Sequence, residues 1–278
     1  MQVLSFVNQK GGCGKTTTAV NLGGALAARG ERVLVVDLDP QAHATLGLGV
    51  APGDDPTVAE VLLEEAFIEQ AIVDAPGGLQ LLPSRPRLGE FEEASERLIH
   101  PEQRLKIALD AVRDRYDWVV VDCPPRTDGV LTANALFAST CAMLIVETGA
   151  FALQGALQAL TVLDEVGENQ GRTYEVRVVG TLFDRRTRFA RELLVALHSR
   201  FGKAMFDTVI RTSVRLREAP AHGVPVQVLD PSCRASADFA ALADEVVEHL
   251  SEQKAPSSPL RAGQSGGEDE TSTVSVSS

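Results

Sequence analysis

Long apolar runs are missing from this chain. None approaches the 18 or more consecutive apolar residues of a membrane-spanning helix. The N-terminus has neither a basic segment nor a cleavable apolar one, so residues 3–7 read as a first strand and not as a leader. Cysteine is sparse. Cys13, Cys123, Cys141 and Cys233 are widely scattered and form no C-x-x-C pair, the pattern of reduced cytosolic thiols. Positive charge is also short: 26 Lys and Arg face 38 Asp and Glu, a formal net charge of −12, which argues against a general nucleic-acid binder. No internal repeat is evident, so the chain reads as one unit and not a tandem pair.

What is present suits a soluble globular protein. With 278 residues, 44% of them hydrophobic and 23% charged, the chain has material for one large α/β domain or two small ones. Residues 32–38 and 118–122 are short, β-branched apolar runs, each with an Asp at or near its C-terminal end. Fully apolar strands separated by helical stretches indicate a parallel sheet covered on both faces. Further strands are expected over 79–82, 142–146, 176–182 and 205–209. Helices are expected over 16–28, 57–67, 103–113, 129–137, 153–166, 188–200 and 236–250. From residue 251 Ser, Gly, Pro and acidic residues dominate. The expectation is therefore a folded domain over 1–250 and a disordered tail over 251–278, because so polar a segment cannot offset its ordering entropy.

Residues 10–17, Lys-Gly-Gly-Cys-Gly-Lys-Thr-Thr, follow the first strand and open the first helix. Strand, glycine loop and helix form the layout in which backbone N–H groups and a helix N-terminus wrap a phosphate chain. Gly11, Gly12 and Gly14 let the backbone approach the phosphates, Cys13 and Thr17 contribute through the backbone, Lys15 reaches the β/γ-phosphates, and Thr16 offers its hydroxyl to Mg²⁺. The common pattern G-x-x-x-x-G-K-[ST] would place Gly where this chain has Gln9, and the loop begins instead with a second lysine, Lys10. In open parallel sheets, ligands sit beyond the C-terminal ends of the strands, where the aspartates are also placed.

The form K-G-G-x-G-K-[ST] resembles the deviant Walker A loop of the ParA/MinD family of P-loop ATPases. Two other segments carry the same resemblance: the run ending in Asp122-Cys123-Pro124-Pro125 resembles the family's Walker B segment, and VLVVDLDPQAHAT over 33–45 resembles its D-x-D-P-Q-x-x-x-T element. The resemblance covers about residues 2–250. It implies an α/β, P-loop NTPase-like fold with a mostly parallel twisted sheet and helices on both faces. It also implies ATP and Mg²⁺ as ligands, and a weak intrinsic ATPase. By resemblance, Asp122 and Asp37 belong to the metal region with Thr16, and Asp39 positions the attacking water. Lys10 crosses to the partner subunit's nucleotide, so that ATP joins a homodimer. His43 stands where relatives often carry Asn and reads as a surface residue.

The charge is unevenly distributed. Residues 172–234 hold 12 basic and 6 acidic side chains, an arginine-rich stretch in an acidic chain. Within it, TLFDRRT (181–187) and VIRTSVRLREAPAHG (209–223) resemble two segments of chromosomal ParA proteins, often called Soj, whose arginines bind double-stranded DNA without sequence preference. Arg186 and Arg215 match, Arg217 joins them as a DNA-binding candidate, and Arg185, Arg188 and Arg211 are neighbours able to widen the patch. The resemblance thus implies a cytoplasmic, nucleoid-associated ATPase released by a ParB-like partner, with a chromosome, a plasmid or a protein assembly as cargo. Because the chain starts at its first strand, no N-terminal helix-turn-helix domain is expected. A MinD-like membrane ATPase is the alternative; the tail lacks that branch's amphipathic, Lys-rich pattern, so no membrane is expected. A metallocluster carrier would need a cysteine from each subunit at the dimer seam, and Cys123 and Cys141 lie in other contexts. Three departures stand out: IVETGAFALQG over 145–155 in place of P-V-Q-x-E before the A-L-E-G turn, Arg211-Thr212-Ser213 in place of Pro-Arg-Asn near the adenine, and Cys13 in place of Val.

Overall fold

The computed structural model describes residues 1–251 apart from 52, 127, 150, 170, 172 and 185. The expected tail beyond Ser251, which ends the last helix, and Arg185 lie outside the described residues.

Eight strands form one sheet: β1 (Gln2–Val7), β2 (Val33–Asp37), β3 (Val73–Ala75), β4 (Leu79–Leu82), β5 (Trp118–Asp122), β6 (Cys141–Glu147), β7 (Glu175–Phe183) and β8 (Met205–Arg211). Their order is β3-β4-β2-β5-β1-β6-β7-β8, and every pairing is parallel except the edge pair β3–β4. Between the strands run α1 (Lys15–Ala28), α2 (His43–Gly47), α3 (Val58–Leu62), α4 (Ile68–Ala71), α5 (Leu88–Ala94), α6 (Arg104–Ala111), α7 (Val130–Ala138), α8 (Ala152–Asn169) and α9 (Arg188–Phe201), and after β8 come α10 (Arg215–Glu218), α11 (Val226–Leu229) and α12 (Arg234–Ser251).

The apolar strands are buried on both faces, as their composition requires. Alternation splits them between two cores. Val3, Val7, Leu34, Val36, Val119 and Val121 pack toward α3 and α5–α9. Leu4, Phe6, Val33, Val35, Trp118 and Val120 pack toward α1 and α12. Side chains two residues apart share a face. Asp37 continues the set 33, 35, and Asp122 continues 118, 120, so both carboxylates lie on the α1 side of the sheet.

Two expectations differ from the structure. The helix expected over 57–67 stops early: α3 ends at Leu62, Glu64 takes a left-handed φ of 61°, and the Glu65 N–H closes back on the Glu60 carbonyl at 2.8 Å. That closure ends a helix normally through glycine. Here no glycine marks it, and the helical pattern of the sequence runs straight through. Edge strand β3 is short and half-exposed, so it lacks the apolar run that reveals the other strands.

Candidate functional site

The loop from Asn8 to Gly14 leaves β1 at the C-terminal edge of the sheet. Asn8 holds its start: the side-chain amide donates to the Ile145 carbonyl on β6, and its Oδ1 accepts the Lys10 N–H at 2.9 Å. Gly14, with φ 94°, is the N-cap of α1, and no side chain caps the helix there. The N–H groups of the first turn are thus left for an external acceptor, at the positive end of a 14-residue helix. The Lys15 side chain folds back into the loop, 7% exposed, with Nζ 3.3 Å from the Lys10 carbonyl. Cys13 is buried among apolar side chains, and its carbonyl accepts from the Thr181 hydroxyl at 2.7 Å. Gly11 and Gly12 are exposed, while Thr16 and Thr17 are half-buried at the start of α1. Together these residues make a donor-lined, cationic cradle.

Beside it sit the acids. β2 and β5 pair with Asp37 directly opposite Asp122. Asp37 is fully buried; its Oδ1 accepts the Asp39 N–H at 3.1 Å, and its Oδ2 accepts the Thr45 N–H and hydroxyl, both at 2.8 Å. Burial outweighs these bonds and pushes its carboxyl up to about 6. Asp122 is fully buried, and neither of its oxygens has a hydrogen-bond partner among the described residues. Burial and then the neighbouring Asp37 push it well above the usual carboxylate range, against the Thr16 hydroxyl and Lys15 ammonium, which favour the charged form. An orphaned buried carboxylate is costly unless something cationic satisfies it. A divalent ion fits here: hard oxygen donors from Thr16 and Asp122, Asp37 behind them, and phosphates expected in the adjacent cradle. No cluster of three or more His, Cys, Asp or Glu able to hold a metal exists among the described residues. Mg²⁺ keeps waters and uses one or two carboxylates plus substrate phosphate.

Asp39 follows at 7% exposure, with one carboxylate oxygen accepting the Gln41 N–H at 2.9 Å and its carbonyl held by the Ser84 hydroxyl at 2.8 Å. Lys10 is exposed at the start of the loop and ion-paired with Glu147 at the end of β6. Glu147, Thr45, Ser84 and Thr181 were not singled out from the sequence. Thr45 ends the D-x-D-P-Q-x-x-x-T element, whereas the other three are brought in only by strand order.

A cleft of about 440 Å³ opens beside the loop, lined by Gly14, Thr17, Thr181, Thr212, Ser213 and Arg217 among others. The arginine candidates thus separate. Arg217 joins the loop. Arg186 lies past the end of β7, bonded to Asp184 through Nε at 2.9 Å, and Arg215 opens α10, bonded to Glu218 at 2.8 Å. Arg211 is taken by buried Asp238, and Arg188 by Glu192 on its own helix. His43 is exposed, and the four cysteines are free.

A family model described as an AAA domain matches residues 1–176. The sporulation initiation inhibitor protein Soj of Bacillus subtilis is 38% identical over 248 residues, covering 88% of this chain and 98% of Soj. The chain belongs to the ParA/MinD family. The chromosome partitioning protein ParA of Caulobacter vibrioides, another relative, is 36% identical over 260 residues, 92% of this chain and 97% of its own. Among solved structures, a Mycobacterium smegmatis protein named cobyrinic acid a,c-diamide synthase, with bound ADP and magnesium, matches with a TM-score of 0.79 and 30% identity over 91% of this chain and 97% of its own. The cell division ATPase MinD of Pyrococcus furiosus matches with a TM-score of 0.72 and 25% identity, over 90% and 99%. The ParA/MinD fold and the P-loop site therefore coincide in one molecule.

Proposed function

We propose that this chain is a ParA-type ATPase that dimerises on ATP, binds DNA without sequence preference and hydrolyses ATP slowly until a ParB-like partner stimulates it. The observation that carries the nucleotide chemistry is the buried, unpartnered Asp122 opposite Asp37, beside a loop whose helix has no side-chain cap. The loop N–H groups and Lys15 hold the β/γ-phosphates. Thr16 and Asp122, supported by Asp37, hold Mg²⁺, which neutralises phosphate charge when bound. Asp39 orients the attacking water. The homodimer would work in the cytoplasm on the nucleoid, moving a chromosome, a plasmid or a protein assembly.

Lys10 has a different task. Lys15 already serves the phosphates of its own subunit, and the exposed Lys10 side chain, ion-paired with Glu147, is able to exchange that partner for a nucleotide across a dimer interface. Lys10→Ala is expected to keep ATP binding and lose ATP-dependent dimerisation, because two nucleotide charges would then face each other unscreened. Light scattering with ATP and Mg²⁺ checks this; a dimer of normal affinity would exclude a role in trans.

The DNA reading rests on Arg186 and Arg215. Both are exposed: Arg186 is paired with Asp184, a surface pair that contributes little and is readily exchanged for phosphate, and Arg215 is paired with Glu218 and the half-buried Asp230. A monomer of net charge −12 is repelled by DNA at long range. Dimerisation doubles the arginines on one surface, and log affinity scales with the phosphates neutralised, so ATP switches binding on steeply. Arg215→Glu, and more weakly Arg186→Glu, are expected to remove binding to random-sequence DNA while leaving the dimer intact. The measurement is fluorescence anisotropy at about 50–100 mM salt, where such contacts are strong. A wild-type dimer without affinity there would overturn the reading.

A further inference from the structure

The arginine-bearing segment 215–230 touches both elements that frame the nucleotide site. At one end it is anchored on α1, the helix that begins at the phosphate loop. The Asn21 side chain donates to the Thr17 carbonyl at 2.7 Å within α1, and its Oδ1 accepts the Val226 N–H of α11 at 2.7 Å. The Gln227 amide returns a bond to the Asn21 carbonyl at 2.8 Å. At the other end, the turn over 219–223 rests on α2 and the residues after it. Pro220 lies against Gly47, where a Cβ on the glycine would sit 3.6 Å from the proline ring. Gly49 and Gly223 meet backbone to backbone: a Cβ on Gly223 would stand 2.7 Å from the Gly49 Cα. Both have left-handed φ, 69° and 66°, so each is glycine for conformation and for contact.

α2 is itself tied to the acids. The two bonds from Thr45 to the Asp37 carboxylate, both 2.8 Å, hold it to the strand end opposite Asp122. Thr45 is thus the contact through which a change at the acid pair would reach α2. Arg215 closes the chain of contacts. Its Nε is 3.2 Å from Asp230, the residue just beyond α11, and its Nη1 is 2.8 Å from Glu218. The first residue of α10 is thereby latched to the end of the same segment.

We propose that segment 215–230 is a lever: α2, shifting when metal and nucleotide engage Asp37, presses through Gly49 and Gly47 on the turn 219–223, while α1 holds Val226, and the strain opens the Arg215–Asp230 pair and frees Arg215 for a nucleic-acid phosphate. This regulation rests on the DNA reading above. It adds a step inside each subunit to the doubling of contacts on dimerisation. No contact between nucleotide and Arg215 is needed, because α2 and the turn over 219–223 share a packed boundary at Gly47–Pro220 and Gly49–Gly223.

Three measurements test it on the full chain. Asp230→Asn removes the latch and is expected to raise the affinity of the ADP state for random-sequence DNA by about fivefold or more, the lower range of such couplings. Asp74→Asn, an equal charge change on edge strand β3 at the opposite side of the sheet, is expected to leave it unchanged. Gly223→Ala, or the milder Gly49→Ala, breaks the boundary and is expected to cut the ATP-over-ADP ratio of DNA affinities by a similar factor, with ATP-dependent dimerisation retained. Hydrogen exchange on the Lys10→Ala chain, at concentrations where scattering shows a monomer, is expected to change over 219–224 when ATP and Mg²⁺ are added. This last readout needs neither DNA nor a glycine variant. If wild-type dimers ignore DNA but the exchange responds, the lever stands and the DNA function falls. If wild-type dimers bind DNA and the exchange over 219–224 does not respond, or Asp230→Asn and Asp74→Asn behave alike, the lever is wrong.

Discussion

Lys15→Ala is expected to weaken ATP binding by roughly 30- to 5,000-fold, the equivalent of the about 2–5 kcal/mol lost when one partner of a desolvated charge pair is truncated. The reason lies in where the ammonium sits. Lys15 is 7% exposed, its stem is packed at the start of α1, and its Nζ lies 3.3 Å from the Lys10 carbonyl. The cation is held ready inside the loop, and a phosphate chain is the anion the loop's geometry admits. Lys10 cannot replace it, because its side chain leaves the loop toward Glu147. Calorimetric titration with ATP and Mg²⁺ checks the loss, with the thermal transition measured alongside to show that the fold persists. Unchanged affinity would remove the cradle from the mechanism.

Asp39→Ala separates binding from hydrolysis. The variant is expected to bind ATP normally, to accumulate as a dimer and to hydrolyse about 10²–10⁴-fold more slowly, the range for a lost acid–base or water-positioning group. Asp39 bonds to Asp37, Gln41 and Ser84. Its carboxylate accepts the Gln41 N–H, and its carbonyl is pinned by Ser84 beyond β4. The truncation therefore leaves the cradle and the Asp37–Asp122 pair in place. Stimulated turnover at the wild-type rate, measured as phosphate release, would take the water-positioning role away from Asp39. An ATP dimer trapped by this substitution is also the species in which DNA affinity is best compared with the ADP state.

Much of this molecule could be read before any coordinate was known, and the readable parts share one property. Residues 10–17 declare the phosphate loop because a loop binding through its backbone must be written in glycine, and the lysines and threonine that finish it lie within the same eight positions. The strands over 33–37 and 118–122 announce themselves because a strand buried on both faces has to be apolar along its length. Where local sequence does not force a local shape, the reading blurred. The Glu64 turn without glycine and the half-exposed β3 are the two examples.

Tertiary structure decided the rest, because it alone brings together residues far apart in the chain. Strand order places β5 between β2 and β1, and only then do Asp37 and Asp122 meet in register on the α1 face, where burial and the neighbouring Asp37 raise the cost of ionising Asp122. The same order delivers Glu147 to Lys10 and Thr181 to the Cys13 carbonyl. An arginine's composition says nothing of its partner: Arg211 is spent on buried Asp238, Arg217 lines the cleft, and Arg186 and Arg215 remain exposed. The sequence by itself determined the chemistry on offer at the end of β1, since that chemistry is local. Which acids stand together, which arginines are open to a ligand and how Gly49 comes to touch Gly223 were decided by packing, since each is a contact between segments that no short stretch of chain contains.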